Sequence, residues 1–266
     1  MIYVNNFDLG FGRDMYARRF DCVDPRSTAG PCVASVVVNY GSIEAAAKKL
    51  DPIVAVAMEY TPTPYSNGRR VVKFYTYAPN ETNGDFDRIY SVDLDGRGEK
   101  YMPGSCTICH GGTPLGVDPD NEDLYAKGGD VNATFLPWDL ESLLYSDSQA
   151  AAWVPDPADT RETSLHARFT RSAQEGQFRE LNRLAYQTYE DNPAHPGRHD
   201  AARDLIETWY GDALDSATFQ NRVPDEWGSD PEAQKIYTQV FAQHCRMCHV
   251  AQVPNVDNQT GAHQPY

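Results

Sequence analysis

The chain has 266 residues, 41% of them apolar and 11% aromatic, enough to build the core of one large domain or two ordinary ones. With 38 acidic against 23 basic residues and a formal charge of −15, it lacks the basic face of a nucleic-acid binder and suits a redox protein partner docking on an acidic surface. No stretch approaches the roughly 20 consecutive apolar residues that span a bilayer, so no transmembrane segment is expected.

The opening residues, Met1-Ile-Tyr-Val-Asn-Asn-Phe-Asp8, carry neither a basic n-region nor an apolar h-region. The next segment, Leu9-Gly-Phe-Gly-Arg-Asp-Met15, is rich in glycine and reads as a loop rather than a strand or helix. A loop can deliver the Met15 thioether to a metal; plain packing of Met15 is the other reading. Runs of β-branched and aromatic residues at 33–40, 53–60, 71–78 and 89–94 predict strands separated by turn clusters. Asn67-Gly68 between the second and third runs predicts an antiparallel hairpin. Ile43, Ala46, Ala47 and Leu50 recur at helical spacing and predict a short helix over 42–50.

Two five-residue motifs follow, Cys106-Thr-Ile-Cys109-His110 and Cys245-Arg-Met-Cys248-His249. In a helical turn, cysteines three apart present both sulfurs to one side, where they can form thioethers with the two vinyl groups of a haem. The histidine directly after them then falls under the iron as its proximal ligand. A zinc site or a redox CxxC would have to explain that histidine twice in a chain with six cysteines and seven histidines. The expectation is two covalently bound c-type haems on Cys106, Cys109 and His110 and on Cys245, Cys248 and His249. Such attachment happens outside the cytoplasm, so a periplasmic or extracellular location is expected, with an export signal once preceding Met1. In that oxidising setting the remaining pair, Cys22 and Cys32, is expected to close as a disulfide.

Between the motifs, 111–130 is rich in Gly, Pro and Asp and reads as a loop around a haem edge. The apolar segment 135–144 reads either as a wall of the first haem or as core. Helical spacing recurs over 170–189 and 201–210. A last helix starts at Asp230 and Pro231 and runs through Ile236, Tyr237, Val240 and Phe241 into Cys245, like the helix before the motif of a small cytochrome c. The predicted fold is α+β, with a β-rich part over 1–100 packing on the first haem and a mainly helical haem-binding part over 101–266. The stretches before the two motifs do not resemble each other, so duplication of one haem module is not supported.

The distal ligands decide the chemistry, because an electron carrier fills both axial positions whereas an open one admits small ligands. No methionine lies between His110 and Met247 or after His249, so the usual downstream methionine is missing for both haems. Met247 points wrongly for its own haem, Met58 reads as core and Met102 is closely tethered to the first motif. Met15 therefore stays a candidate. His244, abutting Cys245, is the leading distal candidate for the first haem, and His263 for the second. His195, His199 and His166 read as surface residues.

Beyond the motifs, Asp8-Leu-Gly-Phe-Gly-Arg-Asp-Met15, Leu94-Asp-Gly-Arg-Gly98, 105–112, Phe135-Leu-Pro-Trp-Asp-Leu140 and 240–252 resemble a family of exported bacterial dihaem proteins described as cytochrome c domain proteins. The resemblance implies electron transfer and names no partner; such chains continue further beyond the second motif. The leading expectation is an extracytoplasmic dihaem electron carrier. A dihaem peroxidase with one open site and a subunit of a self-associating haem chain are the alternatives.

Overall fold

The computed structural model describes residues 1–5, 10–22, 31–63, 66, 68–112, 131–189, 197, 199–211, 214, 218–228 and 230–251. Its frame is an antiparallel sheet of β1 (Ile2–Asn5), β2 (Gly12–Phe20), β3 (Cys32–Tyr40), β4 (Pro52–Pro62), β5 (Arg70–Pro79), β6 (Phe86–Ile89) and β9 (Leu143–Leu144), in the order β6-β5-β4-β3-β2-β1-β9. A separate ribbon pairs β7 (Ser91–Val92) with β8 (Lys100–Tyr101). Together with the helices this is an α+β architecture.

Side-chain alternation explains the sheet's two faces. One face carries Met15, Val33, Tyr60, Val72 and Phe74 into a core shared with Phe135, Leu140, Phe178, Ile206 and Trp209. The other carries Tyr40, with Ile2 and Val4, against Ile43 and Ala46 of helix α1 (Ile43–Lys48) and against Trp153. Three strands coincide closely with the predicted runs, and β4 and β5 form the predicted hairpin. Cys22 and Cys32, with Cα atoms 5.2 Å apart, are joined by a disulfide at the start of β3.

The reading of 9–15 as a loop is corrected: Gly12 to Met15 belong to β2, paired with β1 on one side and β3 on the other. The glycine reflects crowding. A Cβ on Gly12 would lie 1.9 Å from the Ser42 carbonyl oxygen, where α1 begins across the strand. Met15 is buried in the first core, and its backbone exchanges hydrogen bonds of 2.8 and 3.0 Å with Met1.

Later helices include α2 (Gly104–His110), α3 (Thr160–Arg168), α4 (Arg171–Tyr186), α5 (Asp200–Tyr210), α6 (Pro231–Ile236) and α7 (Arg246–His249). Helix α4 splints the fold with two buried amides. Gln174 accepts from Ile2 N (2.7 Å) and donates to Ile2 O (2.8 Å), while Asn182 treats the Trp138 backbone the same way (2.7 and 3.0 Å). Asp230 caps α6 as predicted, and the helix continues through a π-helical turn, Tyr237–Phe241, and a short turn, Ala242–His244, into Cys245.

Candidate functional site

The first motif forms α2, a single short helix whose start is set by the Pro103 carbonyl, which accepts from Cys106 N and Thr107 N at 2.9 and 3.1 Å. Thr107 turns inward and Ile108 outward at 66% exposure, which leaves Cys106, Cys109 and His110 half-buried between them. Gly111 and Gly112 end the helix with positive φ, and a Cβ on Gly112 would lie 2.1 Å from the Val131 carbonyl oxygen. This close passage brings the chain at 131–134 alongside the motif.

Thr134 then pairs with His110 twice. Its N–H donates to the His110 carbonyl (2.9 Å), and its own carbonyl lies 2.9 Å from His110 Nδ1. A carbonyl only accepts, so Nδ1 carries the ring proton and Nε2 the lone pair. Burial pulls the His110 pKa down from 6.5 to about 4, opposed by the Thr134 hydrogen bond and helped by the charge of Arg13, so the ring is neutral near pH 7. Phe74 packs edge-on against it at 5.2 Å. A neutral imidazole with one nitrogen fixed by a carbonyl and the other presenting a lone pair is the usual state of a metal-ligating histidine.

Burial also pushes the Cys106 thiol up to about 11. Cys106 Sγ lies 3.4 Å from Met102 Sδ, which also accepts from Ser105 Oγ at 3.0 Å, so the Met102 thioether is occupied beside the motif. Across the sheet, Met58 stands opposite Phe74 in the β4–β5 register, at the edge of the same core.

At the second motif the residue between the cysteines turns inward. Arg246 is 1% exposed and grips the equally buried Asp139 through Nε (2.5 Å) and NH2 (2.8 Å), while NH1 donates to the Tyr237 hydroxyl at 2.9 Å. The rings of Trp209 and Tyr237 stand 5.3 and 5.5 Å from the guanidinium. Ser142 Oγ lies 3.5 Å from Met247 Sδ, so both residues between Cys245 and Cys248 face the body of the protein. His249 and His244 are exposed, the His249 ring 6.4 Å from that of Phe241. Helices α2 and α7 approach each other, with Cα atoms within 8 Å.

The remaining histidines divide clearly. The surface reading of His199 is corrected: it is half-buried, stacked on Tyr189 at 5.2 Å, with Nδ1 3.1 Å from Thr134 Oγ1. It touches Thr134, the residue whose carbonyl receives His110 Nδ1. His166 is likewise half-buried and not a free surface residue, its Nε2 2.7 Å from the Ser146 carbonyl and its ring 4.9 Å from Trp153. His195 and His263 lie outside the described residues.

Thr134, Phe74 and Asp139 escaped the sequence reading; the one available signal was a charged Arg246 inside a motif whose intervening residues need no charge. Among the described residues, no three His, Cys, Asp or Glu side chains gather around a common point as ligands of a single ion. No family model, curated protein or solved structure matches the chain. At the first motif, two thiols and a neutral, oriented imidazole on one helix form a donor set that fits a c-type haem.

Proposed function

We propose that the chain is an extracytoplasmic dihaem c-type cytochrome that passes single electrons between redox partners. Cys106, Cys109 and His110 would hold one haem, and Cys245, Cys248 and His249 the other. The observation that carries this reading is the His110 imidazole, neutral and with Nδ1 tied to the Thr134 carbonyl at the end of a CxxCH sequence. A bound haem supplies the reversible one-electron couple.

The chain's own residues supply position. Thr134 fixes the tautomer and direction of His110, Phe74 supports its ring, and Arg246 roots the second motif in the core. The Cys22–Cys32 disulfide suits an oxidising compartment outside the cytoplasm. His244 is the proposed distal ligand of the first haem, supported by its exposure beside Cys245 and by the approach of α7 to α2. For the second haem the proposal is His263. The acidic surface is proposed to receive a redox protein partner.

Electron carriage requires two six-coordinate, low-spin haems that do not bind carbon monoxide when reduced. Reduced-minus-oxidised spectra with and without carbon monoxide test this, and rapid binding at both haems would refute it. A dihaem peroxidase is the second reading, motivated by the absence of methionine from 111 to 246. Peroxide turnover by the half-reduced protein would favour it, and inactivity in both the oxidised and half-reduced forms would end it.

A further inference from the structure

We infer that the segment 131–144 is a clamp that holds the two motif turns at one fixed separation, with Asp139 and Arg246 as its positioning pair. This rests on the dihaem reading above and adds to it the claim that the two haems form one rigid redox unit.

The segment grips both motifs within a few residues. At Thr134 it receives His110 through two hydrogen bonds, and at Asp139 it receives Arg246 through two more. Ser142 adds a contact to Met247. Five residues of fully extended chain span at most about 17 Å, which bounds the distance between the two anchor points. The helices themselves come closer than that, with Cα atoms within 8 Å.

The clamp is itself immobilised. Asn182 holds both polar groups of the Trp138 backbone, the Tyr189 hydroxyl donates to the Phe135 carbonyl at 2.8 Å, and Leu143 and Leu144 join the sheet beside β1. Arg246 has no need of a buried carboxylate to bind a haem between its neighbouring cysteines. Its side chain instead crosses into the core, where Asp139, Tyr237 and Trp209 enclose it. Electron tunnelling falls steeply with separation, so a fixed separation sets a fixed exchange rate between the two haems.

The test uses the full chain matured with haem. Haem stoichiometry, from the pyridine haemochrome spectrum, reports on the dihaem reading alone. Pulsed EPR of the fully oxidised protein reports the iron–iron distance distribution, which the clamp requires to be narrow. Asp139→Asn leaves a buried guanidinium without its charge partner and is open to misfolding, so the paired variant Asp139→Leu/Arg246→Met, apolar at both positions, accompanies it. The paired variant is expected to keep two haems and lose the narrow distribution. Two haems with a broad wild-type distribution, or a paired variant as narrow as wild type, would overturn the clamp. Fewer than two haems in the wild type would overturn the dihaem reading and the clamp with it.

Discussion

His110 and Arg246 show how differently two copies of one motif can be anchored. His110 is held as a neutral ring by burial and the Thr134 carbonyl, so its protonation is linked to folding in protein that carries no haem at the first motif. The folded ring takes a proton only near pH 4, whereas the unfolded one takes it near 6.5. The unfolded state therefore binds more protons between these values, and stability falls as pH drops from about 6.5 toward 4. Denaturant titrations of Cys106→Ala/Cys109→Ala, which has no haem at the first motif, across that window should show the fall, and His110→Phe in the same background should flatten it. Arg246 is a permanent charge and depends on its partner instead. Asp139→Ala strands a buried guanidinium and should cost about 3–5 kcal/mol, whereas apolar residues at both positions should be nearly neutral. Urea unfolding of the two variants makes the comparison.

At the scale of elements, α4 carries the load between the sheet and the segment that meets both motifs. Asn182→Ala removes both partners of the Trp138 backbone and should destabilise the fold by about 1–3 kcal/mol for each group left unsatisfied. Differential hydrogen exchange should show the lost protection concentrated at Trp138 and its neighbours. Elements that announce themselves locally were legible in the sequence: β3, β4 and β5 by composition and turns, and α6 by its Asp230 cap and Pro231. Those defined by distant partners were not. Strand β1 has four residues, and its outer neighbour β9 lies some 140 positions along the chain. Strand β2 was hidden by Gly12, which serves the passing Ser42 carbonyl and not a loop. The motif residues were legible because the same strict local spacing, CxxCH, occurs twice. Thr134 and Asp139 were illegible because 24 and 107 positions separate them from the side chains they hold.

In the whole molecule, the sheet carries a core on each face, and the two motif helices approach each other beside a segment, 131–144, that belongs to the larger core. No helix among the described residues is long and apolar enough to cross a membrane. The proposed function depends on two haems attached through the four motif cysteines. Intact-mass analysis of protein exported with the cytochrome c maturation apparatus, and denatured before measurement, tests this most directly. The expected mass is that of the chain plus two haems, falling by one haem in Cys106→Ala/Cys109→Ala and by the other in Cys245→Ala/Cys248→Ala. A chain carrying no haem, or a haem count unchanged by either pair of substitutions, would contradict it.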